Sequence, residues 1–302
     1  MVGPLATVGG VQVRPMTSAD LPAAARVVDA AFEIVFAELY GERAPAPTFP
    51  RAGFECRLRA NPEGCLVAVD GADLAGAVFS LRRGPLAWFG PLAVAPEFQR
   101  RGVAGSLLRH LLADWRETGV QLMGLETFTD SSFHVGLYRG FGFQPAWVGI
   151  SYRKPVEPGP WPEGVVRGGD VPALDFLFPG FDPAAEIAAT VATGVGEALT
   201  CAGGVALCHL DGGFHTSAEA AFMPLVAAAD RESFVALVTA AERLATDAGK
   251  RVIATRLPGR CSAAQDALSD LGYLPGGVML RMKQGEHLDY DGAAAYYCDD
   301  WL

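Results

Sequence analysis

The sequence predicts an α/β protein built twice over, each half a mixed, mostly antiparallel sheet flanked by helices. Three observations lead there. Strand and helix periodicities alternate along the first half, the landmarks of that half recur in the second, and a proline-rich stretch separates the two. At roughly 150 residues per domain, the 302 residues divide naturally in two.

The elements of the first half follow from periodicity. Val11 to Arg14 reads as a short strand, and Thr17 or Ser18 as the cap of a helix over about Ala19 to Ala37. Cys65–Val69 and Leu74–Arg82 form a hairpin across Asp70-Gly71. Leu86 to Val94 is a strand stopped by Pro96. In Gly102 to Arg116, Val103, Leu107, Leu108, Leu111, Leu112 and Trp115 fall at helical spacing. Gln121–Phe128 is a buried strand, Ser131–Arg139 a short helix, and Gly142–Trp147 opens a last strand. Tyr40 to Arg59, rich in proline, reads as a loop or broken helix.

Internal repetition sets the larger plan. Asp20-Leu21-Pro22-Ala23 is echoed by Asp170-Val171-Pro172-Ala173, and Gly119, Gly142 and Pro145 align without gaps with Gly249, Gly272 and Pro275. Between the halves, Pro155, Pro158, Pro160 and Pro162 remove backbone donors and fix φ, so a stiff linker is expected. The expected division is a flexible N-terminus (1–10), a first domain (11–155), a linker (156–164), a second domain (165–285) and an acidic, aromatic tail (286–302). The tail reads as a frayed end or as a strand packed on a partner, the first being preferred.

Composition excludes several functions. Half the residues are hydrophobic and 19% charged, the profile of a globular protein. A net charge of −10 repels polyphosphate, so no nucleic-acid partner is expected. The six cysteines form no CxxC pair and the five histidines no HExxH, so no metal is expected and the thiols read as buried in a reducing compartment. MVGPLATVGG has no basic flank before Arg14, and the apolar stretch Ala218–Ala229 is too short to span a bilayer. A cytoplasmic protein without a membrane partner is the expectation.

Chemistry concentrates in PLAVAPEFQRRGVAGSLLRHLL, Pro91 to Leu112. A buried strand ends at Val94, and after a short turn a helix opens near Gly102. The first amides of a helix lack internal partners and lie at the positive end of its dipole. Gly102 and Gly105 allow close approach to that backbone, and Arg100 and Arg101 add charge. The pattern suits an anion such as a pyrophosphate. It equally suits an ordinary strand-to-helix turn with two solvated arginines. It is neither a Walker A loop nor GxGxxG.

QRRGVA, Gln99 to Ala104, resembles the Q/R-x-x-G-x-G/A signature of the GNAT family of N-acetyltransferases, and LAVAP, Leu92 to Pro96, resembles the strand leading into it. LYRGFGF, Leu137 to Phe143, resembles that family's downstream L-Y-x-x-x-G-F element. The resemblance covers about Val11 to Pro155. It implies a GNAT fold and acetyl-CoA as acyl-donor cosubstrate. Leu92, Ala93 and Val94 would bond the pantetheine through their backbones. The amides of Arg100, Arg101, Gly102, Val103, Ala104 and Gly105, with Ser106, would cradle the pyrophosphate. An amide near Val94 would stabilise the oxyanion. Tyr138 would protonate the leaving thiolate, its alternative being a core aromatic. Ser131 stands where the family often has asparagine and would bond the pantetheine through its hydroxyl in place of the family's amide contact, and His134 reads as a peripheral residue. Glu126 is the candidate base, with Glu33 and Asp130 as rivals. Its other reading is a strand carboxylate satisfied by neighbours.

The second half departs from the pattern. Between Pro224 and Gly249 three residues are missing relative to Pro91–Gly119, and Asp230 and Glu232 stand near the place of the anion loop. Carboxylates there repel phosphate and cap the helix themselves. Leu268 replaces Tyr138. A degenerate GNAT-like domain is implied, one that covers the cleft, braces the first domain or pairs two copies as a homodimer. The expected function is acetyl transfer to a primary amine of a small molecule or peptide by direct attack. The alternative is an acyl-CoA-binding sensor or scaffold without turnover.

Overall fold

The computed structural model describes residues 10–41, 46–285 and 295–301. Its first half runs β1 (Gln12–Pro15), α1 (Leu21–Tyr40), α2 (Arg51–Ala60), β2 (Leu66–Asp70), β3 (Asp73–Arg83), β4 (Leu86–Val94), α3 (Val103–Glu117), β5 (Leu122–Thr127), α4 (Ser132–Gly140) and β6 (Gln144–Pro155). The second runs β7 (Val166–Arg167), α5 (Ala184–Thr193), β8 (Gly196–Cys201), β9 (Gly204–His209), β10 (Ala220–Ala228), α6 (Arg231–Asp247), β11 (Val252–Pro258), α7 (Ser262–Asp270), β12 (Leu274–Gln284) and β13 (Tyr296–Asp299). The mixed sheet and its flanking helices agree with the sequence reading.

Two local expectations change. Asp20, not Thr17 or Ser18, stands at the start of α1, and its carboxylate accepts from Thr17 N and bonds Arg14 at 2.7 and 2.8 Å instead of capping the helix. The stretch expected as a loop or broken helix contains α2, a regular helix that buries Phe54, Arg57 and Leu58 once the prolines end at Pro50.

The strands form one sheet in the order β1-β2-β3-β4-β5-β12-β6-β11-β10-β9-β8-β7, with β13 added to β10. Its centre records an exchange. β6, which ends the first half, pairs antiparallel with β11 of the second over Gly149–Pro155. β12, from the second half, inserts between β5 and β6, with Arg281 opposite Glu126 and Leu280 opposite both Thr127 and Val148. Neither half therefore closes its own sheet.

Alternation along β4 sends neighbouring side chains to opposite faces. Phe89 joins the core under α3, with Leu107, Leu111, Trp115 and Tyr138. Trp88 joins the other core, with Leu122, Tyr297 and Trp301. Both aromatics are core residues, Trp88 at 0% and Phe89 at 2% exposure.

The C-terminal aromatic segment is not a frayed end within its described part, 295–301. β13 pairs with β10, and Tyr297, Cys298 and Trp301 are fully buried. Trp301 stacks on Trp88 with ring centres 6.2 Å apart, and a Cβ on Gly124 would lie 2.2 Å from its ring. Residues 286–294 and 302 lie outside the described residues.

Candidate functional site

The site begins where two parallel strands part. β4 and β5 pair over Leu86–Phe89 with Leu122–Leu125, and the ladder stops there. β4 bends between Phe89 and Leu92, where its register against β3 shifts. Beyond the bend Leu92, Ala93 and Val94 still pair with β3 through Val78, Ala77 and Gly76, but their β5-facing edge has no strand on it among the described residues. β5 meanwhile turns to β12 on its far side. The outcome is a wedge with a backbone edge along one wall.

The loop below the wedge has a distinctive conformation. Arg100 and Gly102 both have positive φ, 61° and 80°, with Gly102 at the start of α3. Such turns aim successive amides at one point. Ser106 N bonds Gly102 O, the first turn of the helix, so the amides of Val103, Ala104 and Gly105 precede that ladder. A Cβ on Gly102 would meet no heavy atom within 4 Å, and on Gly105 only Arg109 and Phe141 at 3.4 Å. Ser106 Oγ is buried without a hydrogen-bond partner among the described residues. Arg100 and Arg101 are exposed, Arg101 lying 5.3 Å from the centre of the Phe98 ring. This donor-rich, open cradle fits a pyrophosphate.

Tyr138, from α4, stands under the wedge. It is 7% exposed and packs edge-on against Phe89 at 5.7 Å. Burial pushes its phenol above the ordinary value near 10, so the hydroxyl keeps its proton at neutral pH. Ser131 caps α4, accepting from His134 N, and its Oγ lies 2.5 Å from His134 Nδ1. His134 is half-buried above Tyr138, with ring centres 6.5 Å apart, and burial lowers its basicity.

Glu126 is not placed to act as a base. Its side chain is fully buried, and both oxygens are engaged: Oε1 accepts from Arg281 Nε at 2.6 Å and Oε2 from Arg256 Nη1 at 2.5 Å. A carboxylate clamped by two guanidiniums and sealed from solvent is a structural anion, held in its charged form and out of a substrate's reach. The clamp extends to Asp299, which accepts from Arg281, and to Asp300, which bridges Arg256 and His215. Neither arginine could be matched to Glu126 from sequence, because the contacts depend on the exchanged strand and span 130 and 155 residues.

The second half repeats the wedge and fills it. β10 and β11 pair in parallel over Ala220–Met223 with Val252–Thr255, again four residues, and part just before Pro224 as β4 and β5 part before Pro91. In the second wedge β13 lies along Leu225–Ala228 as an antiparallel strand. Below it Asp230 accepts from Ser233 N at 2.8 Å, capping α6 where the first half opens Gly102. Leu268, aligned with Tyr138, is fully buried.

Between the halves lies a further small cavity of about 30 Å³, lined by Cys56, Arg57, Glu186, His209, His215 and Asp300 among others. None of the wedge residues lines it.

Residues 28–143 match the model of the Acetyltransferase (GNAT) family. That match falls within the first half of the chain. A 61-residue stretch is 36% identical to the ribosomal protein bS18-alanine N-acetyltransferase of Salmonella typhimurium, covering 20% of this chain and 41% of that relative. The chain thus spans about two fifths of the length of the curated relatives it matches. A putative acetyltransferase of Pyrococcus horikoshii superposes with a TM-score of 0.71 at 21% identity, covering 98% of this chain and 96% of that one. A tandem GNAT protein from the clavulanic acid biosynthesis pathway superposes with a TM-score of 0.56 at 14% identity, over 92% of this chain and all of that one. These likenesses extend the tandem GNAT fold over both halves.

Proposed function

We propose that this chain is an N-acetyltransferase that moves an acetyl group from acetyl-CoA to a primary amine of a small molecule or peptide. The observation that carries the reading is the parting of β4 from β5. It leaves one backbone edge between an amide-rich loop and a buried phenol. Acetyl-CoA supplies the activated thioester.

Leu92, Ala93 and Val94 bind the pantetheine arm through backbone groups, and the loop from Arg100 to Gly105, with Ser106, holds the pyrophosphate. An amide on the Leu92–Val94 edge donates to the thioester oxygen as negative charge grows there. Ser131, with its hydroxyl on His134, orients α4 and hence Tyr138. The C–N bond forms as the C–S bond breaks, and the Tyr138 hydroxyl donates its proton to the departing sulfur. The ammonium gives up two protons, one to solvent before attack and one that restores Tyr138. Direct attack needs no covalent enzyme intermediate. No helix among the described residues is long and apolar enough to cross a membrane, and we place the reaction in the cytoplasm.

Thermal-shift titration with acetyl-CoA, paired with turnover in a mixed panel of amines, tests this. Ligand at ~100 times its Kd stabilises the fold by about 2.7 kcal/mol. Wild type should shift and Gly102→Glu should not. Tyr138→Phe should keep the shift and lose roughly 10²-fold in kcat. A shift without turnover of any amine would instead mark an acyl-CoA-binding sensor, and no shift would end the reading.

A further inference from the structure

One flank of α1 is joined through Phe128 and His134 to Tyr138. Asp29, Glu33, Phe36 and Tyr40 follow one another at spacings of four, three and four, which places them on one stripe of α1, with Phe32 beside it. The buried core face of this helix is a different one, carried by Leu21, Ala24 and Val28.

The stripe meets Phe128, the residue just past β5. Ring centres of Phe36, Phe32 and Tyr40 lie 5.7, 6.4 and 6.4 Å from that of Phe128. Phe128 lies 6.2 Å from His134, which stands over Tyr138. An unbroken path of rings therefore runs from α1 to the proposed acid. Phe32, Phe36 and Phe128 are only half-buried and Tyr40 is 50% exposed, so the rings do not close into a core.

On the same stripe, Asp29 Oδ1 is buried with no hydrogen-bond partner among the described residues. A buried acceptor left unpaired is costly, and a donor from outside the chain relieves it. The surrounding charge has the matching sign: Glu33 and Glu38 are exposed on α1, Glu38 acts on His134, and Asp130 acts on Tyr40. Rings attract ammonium groups through their faces, and carboxylates attract them through charge.

We propose that the acceptor is a primary ammonium carried on a flat aromatic or apolar body, which lies against Phe36, Tyr40 and Phe128 while its N–H groups donate to Asp29. This rests on the acetyltransferase reading. A polyamine or an aminoglycoside would satisfy the carboxylates but leave the rings wet. A free arylalkylamine and a peptide with an aromatic N-terminal residue present the same chemistry.

The test measures initial rates of acetyl-CoA consumption by the full chain. Phenethylamine, tryptamine and a phenylalanine-led tetrapeptide are compared with spermidine and kanamycin, and acetyl-CoA binding is followed separately by thermal shift. The aromatic set should lead in kcat/KM by about tenfold or more, and the tetrapeptide against the free amines separates the two sources. Asp29→Asn and Phe36→Ala should each raise KM for the best aromatic amine about tenfold, with kcat and the acetyl-CoA shift little changed. Phe36→Leu should recover part of the loss. Because the shift reports folding, a variant that merely unfolds is recognised. Preference for spermidine or kanamycin, turnover of no amine despite a shift, or indifference of KM to both substitutions overturns the proposal. Absence of any shift in wild type overturns the acetyltransferase reading itself.

Discussion

Arg281 and Glu126 stand directly opposite each other in the β12–β5 register, and their side chains meet at 2.6 Å with neither exposed to solvent. One belongs to β12 of the second half and the other to β5, the strand beside the proposed acyl site. Their pairing makes the second half part of the first half's architecture.

Glu126→Gln should therefore act on stability. Removing one partner of a buried ion pair costs about 3–5 kcal/mol, roughly 5–10 °C in Tm for a chain of this size. Below that Tm, kcat should stay within a few-fold of wild type. Calorimetry beside steady-state kinetics decides it. An unchanged Tm with kcat lowered about 10²-fold would return Glu126 to the role of base.

The strand exchange predicts that residues 1–155 expressed alone will not fold. β5 would lose β12 as its neighbour, and β6 would lose both β12 and β11, leaving unpaired edges prone to aggregation. Circular dichroism and light scattering on the fragment test this. A monomeric fragment that binds acetyl-CoA as the full chain does would show that the exchange is dispensable.

What could be read in the sequence was local. Val94 as a strand end and the glycine at 102 as a helix start are fixed by neighbours within a few residues, and the structure places both there. Asp230 as a cap followed from the same local chemistry. Glu126 shows the limit: a carboxylate on a buried strand implies a partner, but Arg256 and Arg281 are brought to it only by two long-range strand pairings. The C-terminal YYCDDWL failed for the same reason. Its acidic residues suggest solvent until Arg281 and Arg256 appear against Asp299 and Asp300.

Acid should weaken the fold in two stages. His209, beside Thr190 Oγ1 at 3.2 Å, is held neutral by burial, with its pKa pushed down to about 4. An unfolded histidine titrates near 6.5. Between these values the unfolded chain binds more protons than the folded one, so stability falls as pH drops from about 6.5 to about 4. The limit is about 3 kcal/mol at roughly 1.4 kcal/mol per unit. Asp300 and Asp20, held well below the usual carboxylate range by their cationic partners, add a second loss that begins below the unfolded carboxylate value near 4. Urea unfolding across pH should show both stages, and His209→Gln should shrink the first, leaving the part that His134, also made less basic by burial, contributes. A first stage undiminished in His209→Gln would assign it to another group.

The filled second wedge predicts one acetyl-CoA site per chain. β13 lies along Leu225–Ala228, and Asp230 caps the helix whose counterpart in the first half begins at Gly102. Opening that end alone should not create a second site, because the strand still covers the edge and Arg231, the arginine at that helix start, is paired with Asp270. Isothermal titration of wild type and of Asp230→Gly should both give a stoichiometry of one. Trp301→Ala, which removes a fully buried ring stacked on Trp88, should lower stability by about 3–5 kcal/mol without raising that number. Two sites in wild type would mean that β13 leaves the wedge in solution. Two sites only in Trp301→Ala would mean that the tryptophan alone holds the strand against a slot still able to bind the ligand.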